Sequence, residues 1–425
     1  MRQHALVTAA TLALATIAAS ALTGVAAGQS AETSGLFDRA LRAAEAQQTQ
    51  LVEFRHDLHR HPELSGAEKR TAGLVAARLK KLGFDVRSGV GGYGVVGVLE
   101  GARPGPTVAF RADMDAVLSN DPDPVEYRSV VPGVRHICGH DVHTTIGIGL
   151  AEAFASIRND LAGSVMLVFQ PAEERGTGAR AMLADRVFNE RKPDAIFALH
   201  TAPFNTGEVA TAAGGMMAGR ARLSVTLRGG GDVQDAASRI RAAVQGVGTF
   251  AANNPAQQAP QGFIMVQLFP DRGQQASSRE AVVQGQIMTA GPADRDRARA
   301  SVLEAIEGLD FSGVTIETEY DTRFLDGVTN DSTLVEESNA AISALAPDVT
   351  VHEVTGIVPF FSADFGSFQA LVPGVMYFIG VNNPQTGTVG MPHNPGYVAD
   401  DAAILVGVRV MLSAMLTNLQ VASVE

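Results

Sequence analysis

The chain has 425 residues, of which 46% are hydrophobic and 18% charged, and a formal net charge of −12. Such a composition excludes a disordered or low-complexity protein, and the acidic balance argues against a nucleic-acid partner. A single cysteine, Cys138, excludes an internal disulfide, so that thiol is a buried bystander, half of an intermolecular bridge, or a ligand.

MRQH is a short basic start, and residues 5–27 form an uncharged, alanine-rich apolar run ending at Val25-Ala26-Ala27. This is the pattern of a secretory signal peptide, assigned to residues 1–30, with an uncleaved anchor as the alternative because the run is long enough to span a bilayer. The mature protein is therefore expected to be secreted or periplasmic, with no stable membrane association. The rest of the chain exceeds what one core usually serves, so two domains are expected.

Apolar residues at helical spacing (Leu36, Leu41, Leu51, Phe54, Leu58) predict a long N-terminal helix that Pro62 ends. A second amphipathic helix, about 67–82, stops at Gly83. Apolar runs at 93–100, 106–112, 164–170 and 195–200 read as buried strands, with helices around 142–157 and 177–187 among them. This alternation predicts an α/β domain with a mostly parallel sheet and helices on both faces.

After about residue 215 the pattern changes to strand-helix-strand-strand-helix-strand, the signature of a small α+β unit with an antiparallel sheet. From about 326 the first style returns, with a helix near 330–345, the strand 374–381 and a closing helix from 398. The predicted organisation is a catalytic domain in two parts, 36–215 and 326–425, interrupted by a lid of the dimerisation type at 216–325.

VRHICGHDVH (134–143) sets Cys138 two residues before His140, in a loop leading into a helix. VFQPAEERG places Glu173 and Glu174 just past a fully apolar strand, FALH ends a second such strand at His200, and MPHNPGY carries His393 after a third. Each element alone is as readily structural as functional. Together they offer Cys, His, Glu and His on the carboxyl rim of one sheet, where open α/β sheets bind ligands.

These stretches, with FRHDLHRHPELSGAEKRTA, RADMDAV, VTND, ADFGSF and MPHNPGYVADD, resemble the amidohydrolase branch of metallopeptidase family 20, from about residue 50 to 415. That branch includes hydrolases of hippurate, N-acyl amino acids and indoleacetyl amino acids. The resemblance implies five metal ligands, Cys138, His140, Glu174, His200 and His393, with Glu173 as general base. It implies two divalent ions sharing the thiolate, zinc by ligand softness, with manganese, cobalt or nickel also admitted. It implies a small-molecule amide substrate, an N-acyl amino acid or a related amide or dipeptide, and a homodimer through the lid. Asp115 and Asp141 are expected to orient ligands, with Asp113 and His143 nearby. The cluster of His56, His59, His61, Asp57 and Glu63 matches a family segment that carries no ligand.

The lid departs from the family pattern. Where relatives carry a Gly-Gly-His motif this chain has Asp232, their lid arginine is replaced by Met288, and the glutamate of the ADF segment by Ala363. No histidine occurs between 201 and 351. Either the substrate's acidic part is recognised differently, through Arg222, Arg228 or Arg272, or the protein is a weakly active metal-binding relative acting as a binding protein. A secreted aminopeptidase or carboxypeptidase is a further alternative.

Overall fold

The computed structural model describes residues 31–254, 257–270 and 279–421; the signal-peptide assignment and Arg272 lie outside them. The N-terminal periodicity resolves into two helices, α1 (31–45) and α2 (Gln48–Arg60), separated by a turn at 46–47, with α3 (Lys69–Lys81) following. Strands β1 (Asp85–Val90), β2 (Gly94–Glu100) and β3 (Arg103–Asp113) come next, then a short ladder of β4 (Val117–Leu118) with β5 (Val134–Arg135). Helix α4 (His140–Ser156), β6 (Ala162–Gln170), α5 (Gly178–Ala184), β7 (Ala195–Asn205) and β8 (Glu208–Thr211) complete the first part.

Strand β9 (Gly214–Met217) leads into β10 (Gly219–Gly229), α6 (Val233–Gln245), β11 (Ile264–Leu268), β12 (Glu280–Thr289), α7 (Pro292–Glu307) and β13 (Val314–Leu325). After β14 (Val328–Asn330), which pairs with β9, come α8 (Ser332–Leu345), β15 (Thr350–Glu353), α9 (Gly366–Gln369), β16 (Gly374–Asn382) and α10 (Ala403–Val421).

The large sheet runs β1-β2-β6-β3-β7-β16-β8-β15, and its centre, β6-β3-β7-β16, is parallel. The middle stretches of those four strands are continuous apolar runs because both faces are covered there. One face packs Val108, Phe110, Leu167, Phe197 and Tyr377 against the helices α4 and α10, and α2 packs on α4 in turn. The alternate residues Ala109, Val168, Ala198 and Met376 join a smaller core with Phe365 and Phe368. The predicted α/β class is thus observed, with antiparallel strands added at both margins.

The second sheet, β11-β12-β10-β13, is antiparallel throughout, and α6 and α7 pack on it through Ile240, Val244, Val302 and Ile306. Along β10 buried residues alternate with more exposed ones, as one covered face requires. Arg220 on β10 pairs with Met288 on β12. No described helix is long and apolar enough to cross a membrane.

Candidate metal centre

The parallel register sets the site. Asp113 pairs with Gln170 and Arg111 with Ala198, so Asp113, Gln170 and His200 stand at one level near the carboxyl ends of β3, β6 and β7. Arg111, fully buried, bridges these strands: Nε donates to Gln170 Oε1 at 2.8 Å, Nη2 to Asp364 Oδ1 at 3.0 Å, and Nη1 pairs with Asp113. Gln170 Nε2 donates to the same Asp364 at 2.7 Å, joining the ADF segment to the sheet.

Past β6 the backbone turns sharply. Ala172 takes a positive φ of 52°, a conformation uncommon for a residue with a Cβ, and Glu68 Oε1 accepts its N–H at 2.9 Å. Asp115 then receives the N–H groups of Glu173 (3.1 Å) and Glu174 (3.0 Å), together with the Ser65 hydroxyl at 2.6 Å. One carboxylate thus fixes both acids of the pair.

Cys138 and His140 are held at the start of α4 by Gly139, whose φ is 92°. A Cβ there would collide with the Tyr397 hydroxyl and lie 2.6 Å from Thr201 Oγ1, so only glycine fits between the two donors. Thr201 Oγ1 donates to the Cys138 carbonyl at 2.6 Å. His393 reaches the same place from its loop: its N–H donates to the Ile137 carbonyl at 2.7 Å, with φ at 59°.

The donor atoms form a string. Cys138 Sγ is 3.6 Å from His200 Nε2, and Sγ, a His140 ring nitrogen and a Glu174 oxygen all lie within 4.8 Å of one another. His140 Nε2 is 3.8 Å from Glu174 Oε1 and 4.0 Å from Glu173 Oε2, and His393 Nε2 is 3.4 Å from Glu174 Oε1. Asp113, His140 and His143 make a second, overlapping group. In that group His143 Nδ1 bonds Asp113 at 2.6 Å, and its Nε2 accepts the Thr201 N–H at 2.9 Å. Both its ring nitrogens are therefore engaged, which makes His143 a brace.

His200 is a contrasting case. Its Nδ1 bonds the Thr201 carbonyl at 2.8 Å, which fixes the proton there and leaves the Nε2 lone pair toward Cys138. Burial, with His143 adding to it, pushes its pKa down to about 3, so the ring is neutral. His140 Nδ1 lies 3.3 Å from Asp115 Oδ1, which turns Nε2 toward the glutamates. Burial alone would lower the His140 pKa, but Asp113, Cys138 and Asp115 outweigh it and raise it well above the ordinary value.

Three acidic groups are pushed the other way from their charged forms. Burial, then Glu174, raises the Cys138 thiol; burial, then Glu174, raises Glu173; burial raises Glu174 although His393 and His140 oppose it. Glu174 Oε1 and His140 Nε2, the nitrogen turned away from Asp115, are buried without a hydrogen-bond partner. Native interiors rarely leave such atoms unsatisfied. Cations among them would satisfy the orphaned atoms and favour thiolate and carboxylate together, so the donor set fits divalent metal ions.

The remaining histidines and acids of interest stand apart from the string. Asp141 bonds Arg55 Nε at 3.2 Å and His59 Nδ1 at 2.9 Å, away from His140's donor face. His56 pairs with Asp401, His61 bonds the Asp57 carbonyl, and Glu63 accepts the N–H groups of Arg70 and Thr71 at the start of α3. His136 is buried with both nitrogens unpartnered, and burial lowers its pKa to about 4.

A protein-family model for peptidase family M20/M25/M40 matches residues 109–417. The chain belongs to this family. Among curated relatives, thermostable carboxypeptidase 2 of Saccharolobus solfataricus is 29% identical over 372 residues, 84% of this chain and 92% of that one. N-acetyldiaminopimelate deacetylase of Oceanobacillus iheyensis is 29% identical over 384 residues, covering 87% and 99%. A crystal structure of the Bacillus subtilis YXEP protein, described as a dinuclear metal binding peptidase from the M20 family, superposes with a TM-score of 0.73 at 26% identity, covering 88% of this chain and 99% of that one. The M20 chain described here carries an amidohydrolase-type active site with donors for two divalent ions.

Above the donors opens a cavity of about 620 Å³, lined also by Arg220, Gln286, Leu325, Phe360, Phe361, Ser362 and Met391. Sequence reasoning names none of these. Phe360 and Phe361 directly precede the ADF segment, but nothing in their spacing marks them as cavity walls. Arg220 is invisible without the lid register. Asp232, in place of the family histidine, caps α6 by accepting the N–H groups of Gln234 (3.1 Å) and Asp235 (2.9 Å). Met288 and Ala363 are buried. Arg228 is exposed and bonded to Glu280 and Glu317, and Arg222 is exposed on the lid, so neither lines the cavity.

Proposed function

We propose that the protein hydrolyses the amide bond of N-acyl amino acids or closely related small amides, with Cys138, His140, Glu174, His200 and His393 as metal ligands and Glu173 as general base. The observation that carries this reading is the convergence of Cys138, His140 and Glu174 donor atoms within 4.8 Å, with Glu173 beside them and the cavity directly above. The amidohydrolase and deacetylase names among its relatives point the same way.

Two divalent ions, when bound, supply Lewis acidity to a water and to the amide carbonyl. The chain's own residues do the rest. Glu173 sits 4.0 Å from His140 Nε2, at the floor of the cavity, and its raised pKa suits a carboxylate that takes a proton from water and returns it to the leaving amine. Asp115 holds its backbone and that of Glu174, so base and ligand keep one relative position. The apolar wall of Leu325, Phe360, Phe361 and Met391 suits an apolar acyl group and excludes bulk water around it.

We also propose that residues 216–325 form the lid and that residues 1–30 are a signal peptide that directs export. Glu173→Gln tests the reaction. The metal-loaded variant is expected to keep its ions and to lose about a thousandfold in kcat on a panel of N-acyl amino acids. Unchanged turnover would remove Glu173 from the mechanism. A wild-type protein that retains metal but releases no amine from any acylated substrate would favour the binding-protein reading instead.

A further inference from the structure

Among the described residues, three arginines are fully buried, and each meets a carboxylate. Arg55 pairs with Asp141 and Asp401, Arg111 with Asp113 and Asp364, and Arg135 with Asp123. Arg220 differs. It is partly buried, yet no carboxylate of a described residue forms an ion pair with it.

Its neighbours are neutral. Nε donates to Ser362 Oγ at 2.6 Å, Nη1 to Gln286 Oε1 at 3.3 Å, and Nη2 to the Phe360 carbonyl at 2.6 Å. A guanidinium has five N–H donors, so these bonds leave one on each terminal nitrogen, the spacing that matches the two oxygens of a carboxylate. Burial lowers the pKa of Arg220, and the charges that oppose this are Glu173 and Glu174, across the cavity floor. Once Glu174 holds a metal ion and Glu173 shares a proton with water, neither serves as its full counter-charge. Keeping a desolvated cation without a partner costs stability, and a ligand that brings its own anion removes that cost.

We propose that Arg220 is the anion-binding residue of this site, gripping a carboxylate on the amine half of the substrate, so that acid-bearing amides are preferred over neutral ones. The proposal deepens the amidohydrolase reading and rests on it. The ladder explains how the residue arrives there: Arg220 stands directly opposite Met288, and directly paired residues of antiparallel strands share a face. A cation on β10 therefore reaches the space that a cation on β12 would reach. Ser362 and Phe360, from the segment before the ADF residues, and Gln286, from the lid, fix its plane from two sides.

The test compares an N-acyl amino acid with its carboxamide, which differs only in the acid group, using metal-loaded wild type, Arg220→Gln and Arg220→Lys. Wild type is expected to prefer the acid by about a hundredfold in kcat/KM, mostly through KM, as charge-assisted hydrogen bonds allow. Arg220→Gln should bring the ratio close to one, and Arg220→Lys should restore part of it, both with the metal content of wild type. An equal wild-type preference for the two substrates, or a ratio unchanged in Arg220→Gln, would overturn the proposal. If wild type cleaves neither, calorimetric binding of the same pair separates the two readings. Tighter binding of the acid that Arg220→Gln abolishes supports Arg220 while the hydrolase reading falls. Binding without preference overturns the proposal as well.

Discussion

At the carboxyl edge of the large sheet, Cys138, His140, Glu173, Glu174 and His200 are packed against one another, each braced by a second residue. Across the cavity the lid sheet presents Arg220 and Gln286, on strands whose other residues alternate between the lid's own core and solvent. The two sides differ in how much of each is preformed. The rim's geometry is set by parallel register, by Asp115 and by a glycine that nothing can replace. The lid's contribution depends on one arginine held by three neutral acceptors. Chemistry common to a family can reside on the first side while substrate choice is rewritten on the second.

Breaking the rim should therefore cost far more than altering the lid. Cys138→Ala removes the donor at the middle of the string, and we expect loss of at least one ion and a rate reduction beyond a thousandfold, checked by elemental analysis and turnover. Asp115→Asn keeps the shape but removes the charge that turns His140 and weakens its hold on the glutamate N–H groups. Removing such a supporting carboxylate typically weakens metal affinity by about 10–100-fold. A chelator competition titration measures it, and unchanged affinity would show that His140 needs no such support.

On the lid, Asp232→Ala deletes the cap of α6 and should cost about 1 kcal/mol of stability, read by chemical denaturation. Its kcat/KM on an N-acyl amino acid should stay within about threefold of wild type, since a lost cap perturbs only the first turn of the helix. A large loss of activity would give Asp232 a role at the substrate that its place outside the cavity lining argues against.

The difference between the two sides also governs what the sequence reveals. The parallel strands are legible because burial on both faces makes them continuous apolar runs, and the donors are legible because they sit where those runs end. Strands β1 and β15 escape notice, since DVRSGV and TVHE lie at or near the sheet margins, are largely exposed and carry no apolar pattern. The break between α1 and α2 falls in AQQTQ, which is compatible with unbroken helix by propensity alone. His143 and His200 look equivalent as letters. Their hydrogen bonds, set by Thr201 lying between strand and helix, make one a brace and the other a free donor. Arg220 depends on pairing across 68 positions of sequence, a relation that only the register of β10 against β12 expresses.

The most direct measurement is the metal content of the purified wild-type chain, together with the absorption spectrum of its cobalt-substituted form. Two ions per chain, and a thiolate-to-cobalt charge-transfer band absent from Cys138→Ala, are predicted. Fewer than two ions at saturation, or a Cys138 thiol that alkylates freely in the metal-loaded protein, would contradict a dinuclear centre that shares this sulfur.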